Sequence, residues 1–129
     1  MKFRIIAAAC VASSIAAPAY AAAVPNFAAE IPNIPGKSLT ANEISYAPGE
    51  ASPAHSHGTA FVYVYVVSGA IESKVGDGEM RVYRAGESFS EPPGAMHAIC
   101  RNASKTEPAK FLAVFVDDTK AKQKMTPGK

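Results

Sequence analysis

Residues 61 to 67 read Phe-Val-Tyr-Val-Tyr-Val-Val and stop at Ser68-Gly69. Every side chain in this run is β-branched or aromatic, the types that suit a pleated, half-buried surface. Alternate residues of a strand share a face. Val62, Val64 and Val66 therefore fall on one side and Tyr63 and Tyr65 on the other. A chain carrying this run has to build a sheet around it.

The rest of the chain offers partners for that strand. Ser38 to Tyr46 is a candidate first strand, followed by a loop containing Ala47-Pro48-Gly49-Glu50. Ala70 to Val75 and Glu79 to Tyr83 flank Gly76-Asp77-Gly78, whose residues suit a tight hairpin. Arg84 to Glu87 forms another turn, and Glu91-Pro92-Pro93-Gly94 a rigid corner. His97 to Arg101 and Phe111 to Val116 supply two more strands. Many short strands separated by Gly and Pro predict an all-β sandwich or small barrel over residues 38–118. Residues 22–37, rich in Ala and Pro, are expected to be extended and structurally incidental. Residues 119–129 are expected to form a solvated, flexible lysine-bearing tail.

Residues 1–21 have a different character. Lys2 and Arg4 precede an apolar stretch, and Ala19-Tyr20-Ala21 supplies a small-x-small cleavage site. This is the pattern of a secretory signal peptide, too short in its apolar part to span a bilayer. Cleavage is expected after Ala21, with Ala22 and Ala23 as neighbouring alternatives, which places the mature chain in the periplasm or outside the cell. A lipoprotein signal at Cys10 is the weaker reading, because only five apolar residues precede it.

Cleavage also changes the charge balance. The precursor has 13 basic and 11 acidic side chains. Loss of Lys2 and Arg4 makes the mature chain nearly neutral, so composition gives no reason to propose nucleic acid or an anionic membrane as partner. Cys10 is removed as well, leaving Cys100 alone and no internal disulfide.

The chemistry lies in the three histidines, His55, His57 and His97. On a strand His55 and His57 reach the same point, and the Pro-Pro-Gly corner could swing His97 back over them. Neutral imidazole is a common ligand for first-row transition metals. An isolated His-x-His is more often a surface pair; the third histidine in frame tips the balance toward a site.

That frame resembles the two motifs of the cupin superfamily, in particular its small single-domain, quercetin-dioxygenase-like members. Gly49, His55, His57 and Gly69 fit the spacing of the first motif, with Val62 where the family has a glutamate. Gly86, Pro92, Gly94 and His97 fit the second, and Asn102 comes one residue late. The resemblance implies a single jelly-roll β-barrel, also described as a double-stranded β-helix. It further implies a mononuclear site for one divalent transition metal (Fe, Mn, Ni, Cu or Zn) on His55, His57 and His97. It turns Val62, Val64 and Val66 into the barrel. Tyr63 and Tyr65 then face outward, as a homodimer contact or beneath a cover from the N-terminal strand.

Val62 cannot ligate. Some members of the superfamily use three histidines alone, which leaves the full dipositive charge on the metal and favours anionic, chelating ligands. Glu91 is the best candidate to replace the carboxylate, as ligand, base or outer support of an imidazole, against the more ordinary expectation of an exposed loop side chain. Glu50 is expected in solvent. Cys100, three residues beyond His97, is expected on the opposite face of a regular strand as a buried small apolar residue, an order that a bulge would reverse. Arg81, Arg84 and Arg101 are expected on the surface. Two functions follow from the resemblance. One is a metal-dependent enzyme with dioxygenase-like chemistry on a small chelating substrate. The other is a non-catalytic module holding a small molecule or a metal in a degenerate site.

Overall fold

The computed structural model describes residues 21–121 and 126–127. Residues 1–20, the bulk of the expected signal peptide, lie outside them. Among the described residues eleven strands run in order: β1 (Ala22–Glu30), β2 (Lys37–Tyr46), β3 (Ala51–Ser52), β4 (His55–Ser56), β5 (Phe61–Ser68), β6 (Ala70–Val75), β7 (Arg81–Arg84), β8 (Ser88–Glu91), β9 (His97–Asn102), β10 (Ala109–Asp118) and β11 (Thr126–Pro127). One sheet has the order β1-β2-β10-β5-β8, and the other β11-β4-β9-β6-β7 with β3 also on β9. All pairings are antiparallel. The expected all-β jelly roll is the fold observed.

The run from Phe61 to Val67 is the middle of the first sheet, between β10 and β8. Val62, Val64 and Val66 are fully buried between the sheets, while Tyr63 and Tyr65 are each 40% exposed on the outside. Burying each valine is worth roughly 1.5–3 kcal/mol. Strand β10 repeats the pattern with Phe111, Ala113 and Phe115 turned inward. A one-residue slip would turn either apolar set into solvent, so alternation fixes the register.

Residues 22–37 are not incidental. Residues 22–30 pair with β2 along its length and form the edge of the first sheet. The strand does not cover Tyr63 and Tyr65, since β2 and β10 lie between it and β5. Its small, exposed side chains lack the apolar alternation by which a strand is recognised. In the expected tail, Thr126 and Pro127 pair with Ser56 and His55.

Two glycines fix how the sheets meet. Gly69 is the single residue between β5 and β6, where the chain leaves one sheet for the other. Its φ is +71°, and a Cβ there would lie 2.6 Å from the Pro108 carbonyl oxygen. Gly94, also at positive φ, donates its N–H to the Gly58 carbonyl at 2.6 Å. That bond ties the corner before His97 to the loop after His57. Sequence-distant histidines are brought together by backbone.

Candidate metal centre

His55 lies on β4 directly opposite His97 on β9. Its Nδ1 is 2.7 Å from the Pro53 carbonyl oxygen, which can only accept. Nδ1 therefore carries the proton, and Nε2 presents a lone pair to the interior. His57, just beyond β4, brings its Nε2 to 3.1 Å from His55 Nε2. Ring nitrogens this close can share a hydrogen bond or, with both lone pairs free, would hold one ion between them. Phe115 closes the other side of His57, with ring centroids 5.1 Å apart.

Glu91 is the residue that the sequence leaves least certain. It ends strand β8, is only 3% exposed, and pairs directly with Val62 across β5 and β8. The expectation of an exposed loop carboxylate is therefore overturned. Because directly paired residues share a face, the carboxylate enters the barrel one strand over from the valine that displaced it. Glu91 Oε1 meets His97 Nδ1 at 3.0 Å, and Oε2 lies 3.6 Å from His57 Nε2. Oε2 is buried with no hydrogen-bond partner. An orphaned buried carboxylate oxygen is costly unless a cation satisfies it.

Among the described residues, His55, His57 and Glu91 form a group that could hold a metal ion, their ligand atoms all within 4.8 Å of one another. His97 is beside it, its ring centroid 5.2 Å from that of His55. Both of its nitrogens are engaged: Nδ1 by Glu91, and Nε2 by the Ser73 hydroxyl at 2.8 Å. The three expected histidines are thus brought together, and Glu91 joins them. Ser73, buried on β6, gave no signal in the sequence, since a serine on a strand is usually solvated.

The electrostatics match this arrangement. Burial lowers the pKa of His55 and of His57, so both stay neutral and ready to ligate at neutral pH. Burial would raise Glu91, but its hydrogen bond to His97 and the charge of the three histidines outweigh that and hold it below the usual carboxylate range. Burial pulls His97 down, yet its contacts with Cys100 and Glu91 raise it to about 9.

A pH dependence follows for the metal-free chain. A raised histidine stabilises the fold fully below its unfolded pKa, near 6.5, and that contribution disappears as pH rises through about 9. The depressed Glu91 acts above its ordinary 4.5, and its contribution is lost as pH falls. The lowered His55 and His57 cost stability below 6.5, where the unfolded chain takes up their protons. Thermal unfolding in chelator should therefore show a lower Tm at pH 9.5 than at pH 6.5. His97→Gln should shrink that difference; an equal decline in the variant contradicts the assignment.

A cavity of about 290 Å3 opens beside the cluster. Val62, Val64, Phe111, Ala113 and Phe115 line it, with Ala21 and Ala23 at the N-terminal edge. Cys100 lines it too, which corrects the expectation that it faces away. The register of β6 and β9 slips between Lys74 and Val75, so two steps along β9 answer one on β6. This bulge puts His97 and Cys100 on the same side. The Tyr46 hydroxyl donates to Cys100 Sγ at 3.3 Å.

The remaining candidates lie elsewhere. Glu50 Oε2 accepts the Ala47 N–H at 2.7 Å and closes its own loop. Arg81 stacks over Tyr83, Arg84 is exposed, and Arg101 pairs with Glu72. Asn102 is buried and donates to the carbonyls of Ala47 and Glu107, pinning the loops at that end of the barrel.

The cupin domain family model matches residues 42–115. No curated protein matches the chain. Among solved structures, the TT1209 protein of Thermus thermophilus is 26% identical, with 74% of this chain and 81% of that one covered and a TM-score of 0.60. An oxalate oxidase in complex with the substrate analogue glycolate is 28% identical with a TM-score of 0.55; the match covers 63% of this chain but only 46% of the oxidase. An uncharacterised Klebsiella pneumoniae protein with a double-stranded β-helix domain shares the fold at 20% identity and a TM-score of 0.62, over 84% of this chain and 85% of that one.

Proposed function

The chain belongs to the cupin domain family, and on that premise we propose that it is an exported protein holding one divalent transition metal, with dioxygenase-like activity on a small chelating substrate. The observation that carries this reading is the buried, unpartnered Glu91 Oε2 facing two imidazole nitrogens 3.1 Å apart. His55, His57 and Glu91 would hold the ion. His97, with both nitrogens occupied, fixes Glu91 and balances its charge. A bound metal would supply Lewis acidity and coordination positions for an anionic, chelating ligand. The apolar wall excludes water from those positions, and the His97–Glu91 pair can hold a proton beside them.

The first test is the metal content of the untagged protein recovered from the periplasm or medium. It should begin at Ala22, carry one firmly bound ion per chain, and consume oxygen with a chelating substrate. Bound metal without turnover would select the non-catalytic binding module. An empty chain that also refuses added iron, manganese, nickel, copper and zinc would contradict the metal reading altogether.

We also propose a homodimer through the outer face of the first sheet. Tyr63 is paired with Val114, which is paired with Ala41 and then Phe27; Tyr65 is paired with Leu112. These residues form a continuous apolar surface on which Phe27, Tyr63 and Tyr65 are well exposed. The four strands β1, β2, β10 and β5 at about 4.8 Å and eight residues at about 3.3 Å give a face of roughly 500 Å2. Two copies would bury about 1,000 Å2, near the lower bound for a specific interface. The nearest charges, Glu43 and Lys110, already pair with each other at 2.8 Å and impose no repulsion. Sedimentation should find a dimer for the parent and a monomer for the Tyr63→Lys, Tyr65→Lys double variant. A monomeric parent at high micromolar concentration contradicts this interface.

A further inference from the structure

We infer that the ligand of the cavity is a single-headed chelator with an apolar body, and that small diacids are poor ligands for it. The inference rests on the metal reading above and goes beyond it to the other end of the site. Polar donors are concentrated at one end, on His55, His57, Glu91 and His97. Away from them the wall is made by Ile44, Val64, Phe111, Ala113 and Phe115, with the neutral Asn42 among them. The Tyr46 hydroxyl, which also reaches the cavity, is already bonded to Ser52 and Cys100.

Among the described residues no lysine or arginine lines the cavity. Arg101 is engaged outside by Glu72, and Arg81 lies over Tyr83. A second carboxylate on the ligand would therefore be desolvated against a wall whose polar share is the neutral Asn42 amide, with no cation to receive it. An alkyl or aryl group there gains by leaving water. The cavity, about 290 Å3, lies at the lower edge of the roughly 300–1,000 Å3 typical of small-molecule pockets. A two-carbon diacid would leave most of it unfilled.

A series of 2-oxo acids tests this, because the chelating head stays constant while the tail varies. The metal content of the protein is measured first, and binding of pyruvate, 2-oxobutanoate, 2-oxohexanoate, 2-oxooctanoate and 2-oxoglutarate is then followed by calorimetry. Affinity should rise along the aliphatic acids by up to about fourfold per added methylene, with 2-oxoglutarate no tighter than pyruvate. Flat affinity along the series, or 2-oxoglutarate as the tightest ligand, overturns the inference while leaving the metal centre intact. A protein that binds no metal overturns the underlying reading instead, and the prior metal measurement tells the two failures apart.

Discussion

Glu91→Val should lower metal affinity by at least about 100-fold, and adding Val62→Glu to that variant should restore most of the loss. Changes to groups that merely orient a ligand already cost roughly 10–100-fold, so removing a ligating carboxylate costs no less. Restoration is expected because Val62 and Glu91 are direct cross-strand partners, both buried and both lining the cavity. Their exchange carries the carboxylate back across about 5 Å to the position where family members have it. His55→Ala and His57→Ala should each lose metal comparably, without rescue by Val62→Glu. Competition against a chromogenic chelator measures all of these variants. If Glu91→Val binds within threefold of the parent, the carboxylate is not a ligand.

Gly69→Ala should destabilise the chain by about 3 kcal/mol, although it adds only one methyl group. A non-glycine residue held in the left-handed region costs roughly 1–2 kcal/mol, and φ here is +71°. The new Cβ would also meet the Pro108 carbonyl oxygen at 2.6 Å and the Ala109 Cα at 2.9 Å. Both are backbone atoms at the start of β10 and cannot move aside as a flexible side chain could. Overpacking of this kind costs roughly a further 1–3 kcal/mol. For a domain of this size a loss of about 3 kcal/mol lowers Tm by more than about 10 °C. Urea denaturation gives the free energy directly, and a loss below about 1 kcal/mol would mean that the corner between the sheets relaxes easily.

The barrel was legible because its central strands announce themselves. Period-two apolar alternation in Phe61–Val67 and Phe111–Val116 states both the secondary structure and the buried face, and the structure turns Val62, Val64 and Val66 inward. The three histidines are singled out by their fit to the two cupin motifs, and the structure gathers their rings together, but spacing does not say which of them would ligate. What escaped depends on pairing, which one chain segment cannot reveal. Strand β1 carries no alternation, and it is a strand because β2 offers it an edge. Glu91 looked like a corner residue before two prolines; only its register with Val62 makes it an interior group. Cys100 faces the cavity because of a bulge that a three-residue offset does not betray. Ser73 becomes part of the centre only through the antiparallel pairing of β6 with β9.

On the proposed reading, His55, His57 and Glu91 would hold the ion while His97 supports Glu91 from outside. Pulsed electron paramagnetic resonance on the protein loaded with one equivalent of Cu(II) counts the coordinating imidazoles directly. Two imidazoles, falling to one in His55→Ala, is the predicted result. Three would mean that His97 leaves Ser73 and Glu91 to ligate, and none would mean that the ion binds elsewhere; either contradicts this arrangement.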